Sequence, residues 1–480
     1  MVEVLTILAQ SSIGLDSHES FTMTSGEGSP IHINKGFLFS DRLVFVIVSA
    51  IIIGVLVEAG IIRVSGFVGV RNVSQEIIIF VGLGIFCVFS QLIILNYVRN
   101  KVARTSLSHN HMHIDVINKI VFIIQLGIIA LLVIVLLEVS FASSYHTALI
   151  RSVIMSSFLT ASALMALLSW RFIVWVKSTR NRLMLVYLLA SLFISASAIA
   201  GVAYFLDQSF YQPDVILPRT YSDFLTHVER GNSSLVYVYT ILAAIAFVLL
   251  WIGTVFMLQG YRKKLGRWKY WILMFIPLLY FLSQFQPAVL NFLLSYVSDD
   301  PMLFNLVYVV MVDASRPIGG VLFGLAFILV ARKLQNREVK GYLVMTGIGL
   351  LLLLISYEAQ ALVTAPFPPL GLLSGSYFGL ATYLIFIGLY SSAVSISQDS
   401  KLRASIRKSV ESEIKFVGSV GEAEMDRRIL DRVLKISKQF SRTMPEETGV
   451  STSLSDEEIK EYIEEVLIET HKKKSRNGNP

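Results

Sequence analysis

The stretch IIIFVGLGIFCVFSQLIILNYVRNKVAR, residues 77–104, decides the fold. Residues 77–98 carry no charge, and at 1.5 Å per residue such a run crosses a hydrocarbon core about 30 Å thick. Arg99, Lys101 and Arg104 follow at once, as basic residues do where a helix leaves the bilayer on its cytoplasmic side. One segment thus supplies both a span and a direction.

The pattern repeats along the chain. Of 480 residues, 54% are hydrophobic and 16% charged, with a mean hydropathy of +0.65, far from the composition of soluble domains. About ten spans are expected, near 43–62, 77–98, 118–139, 149–176, 183–206, 235–259, 270–294, 305–331, 342–364 and 373–396. The fold class is therefore all-α, a polytopic transmembrane bundle over residues 42–396, preceded by a short cytosolic segment, 1–41, and followed by a cytosolic tail, 397–480. The opening "MVEVLTILAQ" lacks a basic n-region, so the first span is expected to act as an uncleaved insertion signal. Cys87 is the only cysteine, which excludes an intrachain disulfide and a cysteine-based metal site.

Basic residues alternate between connections. Lys177, Arg180 and Arg182 follow span 4, "YRKKLGRWK" follows span 6, and Arg332, Lys333, Arg337 and Lys340 follow span 8, whereas the connections after spans 3, 7 and 9 contain no Lys or Arg. The chain is expected in the cell membrane with both termini cytoplasmic. The two N-x-[ST] sequons, at Asn72 and Asn232, fall on connections assigned outside and are glycosylation candidates. Spans 4 and 5 align without gaps on spans 8 and 9, pairing Lys177 with Lys333 and Pro213 with Pro369. Two parallel four-helix repeats would explain this, and so would two similar hairpins.

After Ser397 the composition changes to 16 basic and 16 acidic residues among the last 84. Leu402, Ile406, Val410 and Ile414 form one helical stripe, and "GSVG" (418–421) is expected to end that helix. Met425, Ile429, Val433, Ile436 and Phe440 form a second stripe, which Pro445 is expected to close. Ser455 and Glu458 make a capping box for a third helix, with Leu454 and Ile459 as its staple and Ile459, Tyr462, Ile463, Val466 and Leu467 as its stripe. These stripes would cover the inner loops as a helical cap, or engage a cytosolic protein or a second copy through residues 399–471. The segments "SISQDSKLRASIRKS" (395–409) and "VGSVGEAEMDRRILDRVLKISK" (417–438) resemble the juxtamembrane and tail segments of a group of uncharacterised archaeal polytopic membrane proteins, a likeness that implies no activity.

Ionisable groups within spans cost on the order of 3 kcal/mol at a helix centre, so each needs a reason. Counted from the nearest inner basic residue, Asp313 lies about 28 Å up, Glu358 about 27 Å, Arg316 about 24 Å, and Gln284 and Gln286 about 22 to 26 Å. One reading of "DASRP" (313–317) is a capped outer helix end with Arg316 snorkelling to water. The other is an outer vestibule in which Asp313, Arg316, Glu358, Gln284, Gln286 and Gln360 converge on a ligand. No Asp, Glu, Lys or His counts to mid-depth, which disfavours a transport pathway built on titratable groups.

His109, His111, His113 and Asp115 recur at two-residue intervals in the first cytoplasmic connection. In extended chain they would share one side and suit a divalent transition metal; a solvated polar loop without metal is the alternative. No H-E-x-x-H, G-x-S-x-G or P-loop pattern occurs. These features favour a non-enzymatic membrane sensor or scaffold with a cytosolic helical output tail, membrane lipid as its surroundings and no nucleic-acid partner. A small-solute or ion transporter is the second reading, and a membrane enzyme using the histidine run the third.

Overall fold

A computed structural model describes residues 73–106, 112–179, 181–210, 214–216, 233–286, 314–334, 336–356, 367–369, 371–408 and 412–448, with isolated positions in 46–54 and at 292, 458, 462 and 466. The chain divides into Met1–Arg42, which lies outside these residues, and Leu43–Pro480. In order the elements are α1 (Val73–Ser106), α2 (Met112–Ala142), β1 (Tyr145–His146), α3 (Thr147–Thr179), α4 (Arg182–Phe210), β2 (Val215–Ile216), α5 (Ser233–Met257), α6 (Tyr261–Leu265), α7 (Arg267–Ser283), α8 (Ser315–Arg332), α9 (Arg337–Ser356), α10 (Leu372–Gln398), α11 (Ser400–Lys408) and α12 (Ser412–Thr448).

Eight of these helices, α1 to α5 and α8 to α10, are long and apolar enough to cross a membrane, and the chain is an all-α bundle of the multi-pass kind. They match eight of the ten expected spans. The expected first span lies almost wholly outside the described residues, and the seventh is seen as α7, after which the chain is described only to Gln286.

α10 sits at the centre, buried from Leu372 to Val394 and packed on α9, α3, α12, α1 and α2. Small residues permit that closeness, which is how helices associate where lipid offers no hydrophobic drive. A Cβ on Gly347 of α9 would lie 2.6 Å from the Gly324 carbonyl of α8, and one on Gly349 would lie 2.8 Å from the Ala381 carbonyl of α10.

The two ends of the bundle differ in charge. At one, Lys101 closing α1 reaches Gly341 of α9, and Lys333 closing α8 lies 4.4 Å over the Tyr261 ring. At the other, β1 pairs antiparallel with β2, Glu138 accepts the His146 backbone N–H at 3.0 Å, and Tyr145 stacks on Phe367. The described parts of the basic connections therefore gather at a single end.

The tail departs from expectation. α12 runs unbroken from Ser412 through Gly418, Ser419, Val420 and Gly421, where the sequence suggested a break. Glycine is needed there for contact: a Cβ on Gly418 would come 2.6 Å from Cγ2 of Ile406, and one on Gly421 would collide with Ile396. Pro445 does not close the helix before Thr448. The third tail helix lies outside the described residues apart from Glu458, Tyr462 and Val466, all exposed.

Candidate functional site

Arg316 opens α8, a helix whose N-cap residue, Ala314, contributes no side-chain cap. Pro317 fits because a first-turn N–H would lack an intrahelical acceptor in any case. The expectation that Arg316 snorkels to water is corrected: the residue is 9% exposed and lines a small cavity with Ile194, Phe247, Leu250, Phe281 and Leu353 among others. The reason is packing. α4, α5, α7 and α9 wall in this end of α8, so the side chain has protein rather than solvent around it. The cavity holds about 10 Å³, room for one water.

Of the other vestibule candidates, Gln284 is half-buried at the end of α7 and donates to the Phe281 carbonyl at 2.9 Å, one turn from the cavity wall, and Gln286 is exposed. Asp313, Glu358 and Gln360 lie outside the described residues, as do Asn72, Asn232, His109 and His111. His113 and Asp115 fall in the first turn of α2, their side chains beyond description. Among the described residues, no group of three His, Cys, Asp or Glu could hold a metal ion.

A second polar cluster escaped the sequence reading because that reading counted charges. Gln125 of α2 donates to Oε1 of Gln91 in α1 at 2.8 Å, Gln91 donates to Oγ of Ser376 in α10 at 2.7 Å, and Ser376 donates to the Leu373 carbonyl at 2.6 Å. Ser90 and Tyr377 share a hydroxyl contact beside it. Gln91 stands ten residues above Lys101, or about 15 Å, near the middle of a span. Amides so deep must find partners within the protein, and this chain of donors supplies them. The signal lay in two apolar runs, "CVFSQLI" and "FIIQLG", each with one glutamine.

The most elaborate contact is at the root of α12. Phe416, Val417, Val420 and Ala423 are buried on the bundle, and Phe416 lies 5.2 Å from the Tyr187 ring of α4 and 6.5 Å from the Phe327 ring of α8. Trp175 Nε1 of α3 donates to Glu424 at 3.1 Å, Ser178 donates to Asp426 at 2.7 Å, and Asn181 donates to Ser419 at 2.8 Å. Glu424 is only 2% exposed, and Arg427 and Arg428 stand 3.7 and 3.5 Å from its oxygens. Burying a carboxylate is tolerable only with such partners, so the docked register is specific. Beyond it Ile429, Val433 and Ile436 are about 40% exposed, one apolar stripe on the same rigid helix.

The cavity and the root share two helices. α4 carries Ile194 to the cavity and, two turns away, Tyr187 to Phe416; α8 carries Arg316 to the cavity and, three turns away, Phe327 to Phe416. No family model, curated protein or solved structure matches the chain.

Proposed function

We propose that the chain is a non-enzymatic membrane sensor or scaffold whose bundle sets the position of α12, with that helix as the cytosolic output. The observation that carries the reading is the sharing of α4 and α8 by the Arg316 cavity and the Phe416 contact. A rigid helix that touches both sites transmits a shift at one to the other, provided that the bundle has two arrangements to choose between. Ile429, Val433 and Ile436 then offer the surface for a cytosolic protein or a second copy. Asp313, Glu358 and Gln360 lie outside the described residues and stay candidates for the same site from the sequence alone.

The reading places the chain in the cell membrane with both termini cytoplasmic. In a Cys87→Ala background, a cysteine at Lys264 should be shielded from an impermeant reagent in intact cells and one at Ser233 should react; the reverse pattern would invert the orientation.

Arg316 at a cavity between spans favours the second reading, a transporter of small anionic solutes. Liposomes holding the purified protein, scanned for uptake of ions and small metabolites, separate the two. The sensor reading expects no uptake above empty liposomes. Uptake that disappears in Arg316→Gln, Asp313→Asn and Glu358→Gln, each still folded, establishes transport instead.

A further inference from the structure

The connection from α5 to α7 and the connection from α8 to α9 meet at Tyr261, whose ring has Lys333 at 4.4 Å and Lys264 at 5.9 Å. Together they present Arg262, Lys263, Lys264, Arg267, Lys269, Arg332, Lys333, Arg337 and Lys340, against one acid, Glu338. The whole chain has a net charge of +7, so this patch alone exceeds it. Every residue from Arg262 to Lys269 is exposed. Two of them are apolar: Leu265 on α6, and Trp268, 82% exposed in the first turn of α7. Gly266, at φ 86° and ψ 152°, makes the turn between these helices in a conformation essentially restricted to glycine.

Loop cations alone would report only orientation. Here two connections converge, and the exposed indole and leucine interrupt the cations at the level where the spans end. That is the arrangement by which a protein holds an anionic lipid, its headgroup among the cations and an indole at the headgroup boundary. We propose that the patch formed by the α5–α7 and α8–α9 connections is a binding site for anionic phospholipid headgroups, with Arg262, Lys263, Arg267 and Lys269 on the phosphate and Leu265 and Trp268 at the acyl boundary. This site is independent of the cavity and of the tail reading.

Each cation near an anionic membrane surface contributes about fivefold in affinity. The test is native mass spectrometry of the full chain, titrated with phosphatidylglycerol, phosphatidylcholine or glycerol phosphate. The native protein should retain phosphatidylglycerol in preference to phosphatidylcholine, and raising the salt concentration before transfer should weaken that retention. The variant Arg262→Gln/Lys263→Gln/Arg267→Gln/Lys269→Gln should bind phosphatidylglycerol at least about tenfold more weakly. Leu265→Ser/Trp268→Ser should weaken it severalfold while leaving the salt dependence. Equal retention of phosphatidylcholine, unchanged binding in the fourfold variant, or glycerol phosphate competing as well as the lipid each overturns the proposal. The salt series on the native protein decides the matter should the fourfold variant fail to fold, since salt-independent binding also overturns it.

Discussion

Glu424 and Gln91 place polar atoms where water does not reach, and each has a neighbour that depends on it. Glu424→Ala would leave the Trp175 indole N–H buried without its acceptor, a loss of about 1 to 3 kcal/mol. Hydrogen exchange over residues 416–426 should rise about tenfold or more, whereas Glu424→Gln, which keeps an acceptor oxygen, should raise it less. For the buried amides the asymmetry runs differently. Gln91→Leu strands the Gln125 donor and should cost roughly 1 to 2 kcal/mol, but Gln91→Leu/Gln125→Leu removes donor and acceptor together and should recover part of that in thermal melts. A double variant less stable than the single one would show that this cluster does more than join α1 to α2. At this scale the sequence was least legible. Counting charges found Arg316 but not its burial, because which helices wall in α8 is a tertiary fact, and it passed over two uncharged glutamines whose meaning depends on facing each other.

Gly418 and Gly421 show how an element can contradict its local signal. Two glycines within four residues lower helix propensity by about 1 kcal/mol each, which is why the sequence suggested a break. In the folded chain they let α12 approach Ile406 and Ile396, and packing decides. Gly421→Ala therefore has opposite effects in two settings. An isolated peptide of residues 412–448 should become more helical by circular dichroism, while in the full chain the root should dock less well, with about tenfold faster exchange at Val417 to Glu424 because the new methyl meets Ile396. Unchanged exchange at the root of the full-length Gly421→Ala protein would mean that the close approach at Gly421 is not what positions α12. Parts of the stripes were readable: Leu402 and Ile406 are buried, and Ile429, Val433 and Ile436 share one exposed side of α12, whereas Ile414, expected on the stripe of Leu402, falls in α12 and Val410 lies outside the described residues.

The bundle was legible at the largest scale because the physics there is coarse. A run without charge and about 20 residues long has few options in a bilayer, and eight of the runs are helices of the required length. The centrality of α10 was not legible, since nothing in "LLSGSYFGLATYLIFIGLYSSAVSISQ" other than its small residues separates it from a lipid-facing span. Nor was the docking of the tail root, which needs Trp175, Ser178 and Asn181 at the end of the bundle that Glu424, Asp426 and Ser419 reach. The central claim is that the cavity around Arg316 and the root of α12 move together through α4 and α8. Hydrogen exchange of the full chain in lipid nanodiscs, comparing the native protein with Arg316→Gln, tests it most directly. The account predicts exchange at least about tenfold faster over residues 416–426 in the variant, with α10 as protected as before. An unchanged root in a folded Arg316→Gln protein would contradict it.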